Sequence, residues 1–496
     1  MKRVLIANRG EIALRIIRAC HEEGLEAVAV YSAPDRGAAH VRAADQAVAI
    51  GPAAPSQSYL SIERLLNAAR EAGADAIHPG YGFLAERAAF AEAVEREGLV
   101  FIGPPASAIR AMGDKTEARE RMQAAGVPIV PGAALPANLQ DAHAAARELG
   151  YPVMVKAAAG GGGKGMRVVT GEGSLPGAVE SARSEALKAF GDSTVYLEKF
   201  IERPRHIEIQ VLADSERTVH LGERECSIQR RHQKLVEESP SVAVTPELRE
   251  RMGAAAVAAA RAVDYRSAGT CEFLVAADGS FYFLEMNTRI QVEHPVTELV
   301  YAVDLVREQL RIAGGQAMRV PRSGIAPRGW AIECRVTSED PTNGFLPASG
   351  RIEYLRPPAG PGVRWDSGVE TGDEVSLHYD SLLAKLIVWA PDRDQAITRM
   401  SHALGELIIA GVVNNQAFHR RLMRDDAFRR GEIDIQFLER RGDLLAPAGG
   451  EDGIRSVALA AALAEDEARH RRRPALTTDT NSGSTWLRQS RIEGLR

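Results

Sequence analysis

The stretch Thr270 to Pro295, TCEFLVAADGSFYFLEMNTRIQVEHP, sets acids, amides and a guanidinium at alternate positions. Two β-rich runs flank Asp278-Gly279, a pair that tolerates the positive φ of a tight hairpin loop. With that pair as the loop, Ala277 faces Ser280, and counting back along both strands sets Glu272 opposite Glu285. Like charges facing across a ladder destabilise it unless something lies between them. A hard divalent cation such as Mg²⁺ answers this, since it takes carboxylate oxygens and shares them with substrate phosphates. Counting on by twos puts Asn287, Arg289, Gln291 and Glu293 on the face of Glu285, while Met286, Thr288, Ile290 and Val292 point the other way. That face offers an anion clamp and a base. A half-buried strand with its polar side in water is the plain alternative.

Gly160-Gly161-Gly162-Gly163-Lys164-Gly165 has almost no side chains. Consecutive glycines supply the backbone N–H groups and positive φ that phosphate cradling needs. The run joins strand Tyr151 to Lys156 to strand Met166 to Val169 and is framed by Lys156 and Lys164, which favours phosphate binding over a flexible linker. It is not a Walker loop, because Met166 replaces the hydroxyl and a strand follows instead of a helix. Strand Val195 to Phe200 ends in Glu198 and Lys199, either an exposed pair or part of a link whose backbone meets an adenine. His206, Glu208 and Gln210 share one side of the next strand. Arg224 to Glu238, RECSIQRRHQKLVEE, concentrates Arg230, Arg231, His232 and Lys234. Without aromatic interleaving or a wider basic surface it reads as an anion-binding loop, not a nucleic-acid site. These parts assemble into a nucleotide site of neither Walker nor kinase pattern.

The elements that must position them span 496 residues, enough for roughly three domains. Strand Val4 to Ala7, turn Asn8-Arg9-Gly10, a helix over Glu11 to Glu23 with Ile12, Ile16 and Cys20 on one stripe, and strand Ala27 to Tyr31 open a doubly wound α/β pattern. The turn NRGEIA lacks GxGxxG, so this unit reads as a scaffold rather than a dinucleotide site. HPGYGFL, residues 78 to 84, lies at a strand end, where such sheets place ligand crevices. Residues 350 to 389 read as a β-rich third unit, followed by helices to about Arg441 and then an alanine-rich helix, a basic run and a polar tail. A net charge of -5 argues against general affinity for nucleic acid or anionic membranes. No apolar run approaches the ~20 residues of a membrane span, and the start does not read as a signal peptide. Cytoplasmic is the expected location. Cys20, Cys226, Cys271 and Cys334 form no CxxC pair and read as core thiols.

The segments IANRGEIALRI (6 to 16), HPGYGFL (78 to 84), IGP (102 to 104), MGDK (112 to 115), GGGGKGM (160 to 166), RHIEIQVLAD (205 to 214), ERECSIQRRHQK (223 to 234) and EMNTRIQVEHPVTE (285 to 298) resemble biotin carboxylase. That is the ATP-grasp subunit or domain of acetyl-CoA, propionyl-CoA and pyruvate carboxylases, and the likeness runs from residue 1 to about residue 441. The resemblance implies an α/β and α+β architecture. A doubly wound pre-ATP-grasp domain would span 1-113, an ATP-grasp domain 114-314 with a glycine-rich lid at about 131-204, and a β-rich C-terminal domain 328-441. A helical, low-complexity tail, 442-496, has no assigned role.

By the same resemblance, MgATP and bicarbonate give carboxyphosphate, which carboxylates N1′ of biotin, the first half-reaction of an acyl-CoA or keto acid carboxylase. Lys115, Lys156, Gly160, Gly161, Gly162, Gly163, Glu198, Lys199, His206, Gln229, His232, Gln233 and Leu274 would contact ATP, with Lys234 near its phosphates. Glu272, Glu285 and Asn287 would hold Mg²⁺ or Mn²⁺, and Arg289, Gln291 and the Val292 backbone would bind bicarbonate. Glu293 would deprotonate it, and Arg335 would stabilise the enolate form of biotin. Ala159 stands where the family usually has the first of five glycines, and Lys164 where Arg is common. The lysine-bearing AMKM of a biotinyl domain is absent. Biotin is therefore expected on a separate carrier protein, with a carboxyltransferase in trans, and the chain is expected to be a homodimer with no nucleic-acid or membrane partner. Another ATP-grasp ligase should lack the RIQVEHP row and the HQK lysine. A non-catalytic scaffold should have lost one of Lys234, Glu272, Glu285, Glu293 or Arg335, all of which are present.

Overall fold

Short apolar runs that end in polar turns build the N-terminal layer. In the computed structural model, which describes all residues except 136–138, 158–165, 191–192, 322–324, 447–458 and 468–496, five strands form this layer. They are β1 (Arg3–Ile6), β2 (Glu26–Ser32), β3 (Gln46–Gly51), β4 (Ala76–His78) and β5 (Val100–Phe101). They pair in parallel in the order β3-β2-β1-β4-β5. The strand order therefore reverses between β1 and β4, and the turns after those two strands open a crevice at the carboxyl ends. The helix Gly10–Glu22 was expected to bury one stripe, but Ala13, Ile17 and Ala19 are buried as well. The reason is a second partner: Leu305, Val306 and Leu310 of helix Leu305–Ala313 join it in the same core as the sheet residues Val4 and Ile6. Each large apolar side chain so enclosed contributes about 1.5–3 kcal/mol.

Residues 132–199 carry an antiparallel sheet of β6 (Gly132–Ala134), β7 (Val153–Ala157), β8 (Met166–Val169) and β9 (Val195–Lys199), ordered β6-β9-β7-β8. Helices Leu139–Leu149 and Leu175–Phe190 cover a small core that includes Val153, Val155, Leu197 and Ala182. The glycine run between β7 and β8, with Ala159, Gly160, Gly161, Gly162, Gly163 and Lys164, lies outside the described residues.

The central element is an eight-stranded sheet. Its members are β10 (Arg205–Ala213), β11 (Thr218–Arg230), β12 (Gln233–Ser239), β13 (Ser267–Val275), β14 (Phe281–Asn287), β15 (Trp330–Thr337), β16 (Val363–Ser367) and β17 (Leu382–Ala390). The order is β14-β13-β10-β11-β12-β15-β17-β16. Helix Pro246–Arg261 buries Met252, Ala256 and Ala260 against one half, with Ile207, Cys271 and Phe273. Helix Arg393–Glu406 buries Ala396, Ile397 and Met400 against the other, with Ile332, Cys334 and Val336. The β-rich region read beyond residue 328 is thus no separate sheet in its long strands: the β12–β15 ladder continues one sheet through it. All four cysteines are buried, as core thiols.

Residues 1–445 form one compact unit and 446–496 a second. In the second, a helix is described at 459–467, with Leu459 and Leu463 exposed. Among the described residues no helix is long and apolar enough to cross a membrane.

A buried ionic clamp fastens the N-terminal layer and β16 to the segment after the hairpin. Arg15 donates to Glu298 at 2.8 Å and to Asp304 at 2.6 Å, while Arg364 donates to the other oxygen of Glu298 at 2.7 Å and to Asp366 at 2.7 Å. Burial alone would raise the Asp366 carboxyl, but Arg364 and Lys385 bring it down to about 2. A depressed carboxylate stabilises the fold above its ordinary pKa and loses that contribution as pH falls through the folded value. Stability is therefore expected to drop by about 2 kcal/mol from this group between roughly pH 4 and pH 2. A thermal midpoint followed against pH should fall less steeply in that window in Asp366→Asn; an identical slope would refute the assignment.

Candidate functional site

The hairpin is built differently from expectation. Ala276 N donates to Ser280 O at 2.8 Å and Gly279 N to Ala276 O at 3.0 Å, so the loop has three residues, Ala277-Asp278-Gly279, with Gly279 at φ 79°. Such a loop uses a glycine in the left-handed region to close its turn. Val275 then pairs with Phe281 and Phe273 with Phe283, one position off the two-residue reading. An irregularity between Glu272 and Phe273, where Leu284 is the extra residue, returns the register, and Glu272 does face Glu285. Two shifts cancel. The strand also stops at Asn287, and residues 288–293 bend and turn into helix His294–Tyr301 instead of continuing extended. Asn287, Gln291 and Glu293 are still buried toward one another, while Thr288 and Ile290 enter the core.

RECSIQRRHQKLVEE is likewise no open loop. Arg230 pairs with Gln233, leaving Arg231-His232 as a two-residue turn with both residues at positive φ, 47° and 68°. Hairpin turns of that hand usually hold Asn-Gly, so the two side chains carry backbone strain that the flanking strands must hold. The turn brings His232 and Gln233 to the rim of a cavity of about 1180 Å³ and Lys234 into its wall.

Lys234 is the hub of that wall. Its Nζ donates to Glu293 Oε1 at 2.8 Å, to Glu272 Oε1 at 3.0 Å and to Glu208. Burial alone would lower its pKa, but Glu208, Glu293 and Glu272 hold the ammonium well above the ordinary lysine value. Glu293 shares its other oxygen with Arg335 Nη2 at 2.8 Å. Its burial favours the neutral acid, yet Lys234, Arg335 and Arg224 keep the carboxyl well below the ordinary range. Glu272 behaves alike: against burial, Lys234 and His206 at 3.0 Å keep it anionic, and Asn287 and Gln291 donate to it at 2.7 and 2.8 Å. His206, despite its burial, is held above the ordinary histidine value by Glu272.

Behind them stands Arg224, fully buried, whose guanidinium donates to Glu208, Gln210, Thr270, Thr297 and Gln291. It fixes the Gln291 amide and was not singled out by sequence reading, because its role rests on partners from two strands, a turn and a helix. Arg289 donates to Asn287 at 2.8 Å and, unforeseen, to Glu86 at 2.9 Å. Val292 lines the cavity and its carbonyl accepts from the buried Lys385 at 2.9 Å.

The N-terminal layer does more than support. Asn8, Arg9 and Glu11 after β1, and Tyr81 and Gly82 after β4, line the same cavity at the crevice the strand order predicts. Gly80 must be a glycine there: its φ is 63°, and a Cβ would come within 2.9 Å of the Asn8 amide that donates to Pro79 O and Tyr81 O. Gln229, Leu274, Glu285 and Lys156 also line the cavity. Lys156 donates to Glu198 at 2.7 Å, with Arg119 at 3.1 Å on the other oxygen. Lys199 is not brought there by its side chain: the β9 alternation turns it away, and its Nζ donates to Gly150 O at 2.6 Å. The side chain of Lys115 lies outside the described residues.

Three known-family models match this chain: the biotin carboxylase N-terminal domain over residues 1–109, the carbamoyl-phosphate synthase L chain ATP binding domain over 114–320, and the biotin carboxylase C-terminal domain over 333–440. Biotin carboxylase of a Nostoc species is 54% identical over 439 residues, 88% of this chain and 98% of that one. Biotin carboxylase of Pseudomonas aeruginosa is 51% identical over 444 residues, 89% of this chain and 98% of that one. The biotin carboxylase domain dimer of Hydrogenobacter thermophilus 2-oxoglutarate carboxylase, solved with MgADP, ADP and bicarbonate, superposes with a TM-score of 0.81 at 48% identity, covering 90% of this chain and 99% of that one.

Proposed function

The chain belongs to the biotin carboxylase family of ATP-using ligases, and we propose that the cavity around Lys234 activates bicarbonate with ATP and passes the carboxyl group to N1′ of biotin. The observation that carries this reading is the ordered row Glu272–Lys234–Glu293–Arg335, in which each carboxylate is anionic and each cation is already desolvated.

Glu272, Glu285 and Asn287 fit a hard divalent cation, since they offer oxygen donors from facing strands and Glu272 is kept ionised. Those residues would hold Mg²⁺ or Mn²⁺, which when bound supplies positive charge to the nucleotide phosphates. Arg289, Gln291 and the Val292 backbone would hold bicarbonate, with Gln291 oriented by Arg224. Glu293 takes the bicarbonate proton. A carboxyl held so far down is a weak base, and it regains basicity when Lys234 turns to the arriving phosphates and Arg335 to biotin. The bicarbonate oxygen then attacks the γ-phosphorus and ADP leaves; the carboxyl carbon of carboxyphosphate bonds to biotin N1′ as its C–O bond to phosphate breaks, and the departing phosphate takes the N1′ proton. Arg335 stabilises the negative oxygen of enolised biotin. Lys156, His206, Gln229, His232, Gln233 and Leu274, which line the cavity, would contact ATP, with Lys115, the glycines 160–163, the Glu198 carboxylate and the Lys199 backbone completing its shell.

Biotin would arrive on a carrier protein, with a carboxyltransferase consuming the product, and the chain would act as a homodimer in the cytoplasm. The purified chain, with Mg²⁺ and bicarbonate, is expected to hydrolyse ATP faster when free biotin or biotinylated carrier is added. No stimulation by either, with ATP still bound, would overturn the reading and favour a scaffold subunit.

A further inference from the structure

One pair of buried acids takes no part in this chemistry. Glu237 on β12 and Glu333 on β15 are directly opposite in the antiparallel ladder and completely buried. Facing residues of such a ladder hold their Cβ atoms about 4.5–5.5 Å apart, so carboxyl meets carboxyl. Arg335 Nε and Nη2 both reach Glu237 Oε1 at 2.6 Å. Glu237 Oε2 and both oxygens of Glu333 have no hydrogen-bond partner among the described residues. Buried acceptors are rarely left so, and one proton placed between the two acids supplies a partner for two of these three oxygens.

The groups around the pair leave little else to neutralise it. Arg335, on the strand of Glu333, is divided between Glu237 and Glu293. Lys385, from β17 and in register with Arg335, is engaged by Val292 O and by Glu11 at 3.1 Å. Lys234 is committed to its three carboxylates, and Glu293 adds negative charge. Burial accordingly pushes Glu237 up to about 7 against the pull of Arg335, and raises Glu333 well above the ordinary range against that of Lys385.

We propose that Glu237 and Glu333 share one proton at neutral pH and that this dyad is the anchor that positions Arg335, gripping its Nε edge while Nη2 exchanges Glu293 for the biotin oxygen. The inference rests on the role of Arg335 given above. When the dyad loses its proton, a second negative charge appears behind the guanidinium and draws it away from the cavity. Glu237 and Glu333 are thus positioning residues and touch no reacting atom.

The shared proton is read without turnover. Infrared spectra of the wild-type protein should contain a protonated-carboxyl band that fades as pH rises from about 6 to about 9, and Glu333→Gln should lack it. The folded state holds a proton that the unfolded chain has released, so stability falls as pH rises through this window. The thermal midpoint of E333Q relative to wild type should therefore climb with pH. A flat difference, with no band lost in E333Q, would overturn the dyad. The anchor is read by Glu237→Gln, expected to lower kcat for biotin carboxylation roughly tenfold to a hundredfold with KM for ATP little changed, and by E333Q, expected to flatten the alkaline decline of kcat. Equal effects of E237Q on kcat and on the KM for ATP, or an alkaline limb unmoved in E333Q, would reject the anchor; E333Q decides if E237Q does not fold. Wild-type protein with the infrared titration but no biotin-dependent turnover would refute the role of Arg335 and leave the shared proton standing.

Discussion

Replacing Glu293 by Gln is expected to reduce bicarbonate-dependent ATP turnover by roughly 10²- to 10⁴-fold, the usual share of a general base, while ATP still binds. The amide keeps the shape of the carboxylate but cannot take a proton. The structure also says why the variant should fold. Glu293 is one of three carboxylates on Lys234 and one of two on Arg335, so each cation keeps a buried partner, Glu208 and Glu272 for the lysine and Glu237 for the arginine. The loss should thus appear in kcat with little change in thermal midpoint or in nucleotide affinity measured by calorimetry. Full turnover in the variant would remove Glu293 from the chemistry and transfer the base role to another group.

Arg224→Ala is expected to be the most damaging single change to stability near the site, by about 3–5 kcal/mol. The guanidinium is fully buried and holds Glu208, Gln210, Thr270, Thr297 and Gln291 at 2.7 to 3.2 Å. Truncation leaves the Glu208 carboxylate with only Lys234 and the more distant His206 at 3.6 Å, uncaps two hydroxyls and two amide oxygens, and opens a void. Lysine should not restore it, since a single ammonium cannot serve a fork that spans two strands and a helix. Denaturant midpoints compared with wild type give the measurement; a loss below about 1 kcal/mol would mean the network reorganises around water.

Much of the site was legible because local patterns carried it. The alternation from Glu285 to Glu293 picked out the side chains that converge, although the chain stops being a strand at Asn287: a bend and a turn deliver the same residues that an extended strand would have aligned. The Glu272–Glu285 pairing was anticipated through a loop one residue too short, rescued by the extra residue Leu284. The RRHQK segment was misread as an open loop because its turn has neither glycine nor asparagine, and hairpin turns are recognised by those residues. Charge density hid the strands. Arg224, Glu86 and Lys385 were out of reach for a different reason. Each acts through partners far away in sequence, and nothing about a lone Arg, Glu or Lys shows which distant residue it will meet. The crevice after β1 and β4 was half legible: HPGYGFL pointed to a ligand, but the turn after β1, set aside as scaffold for lack of a dinucleotide fingerprint, forms the facing wall.

The β12–β15 ladder also sets the order in which the molecule becomes whole during synthesis. Ser239, at the end of β12, leaves the ribosome well before Trp330, at the start of β15. At translation speeds of about 5–20 residues per second the gap lasts on the order of ten seconds. Throughout it, β12 is an outer strand with an unfilled row of backbone donors and acceptors, next to apolar Leu235 and Val236, which the finished fold buries. A nascent chain at that stage holds Lys234 and Glu293 but neither Arg335 nor a covered flank. Another nascent chain carrying its own bare β12 could pair with it until β15 docks.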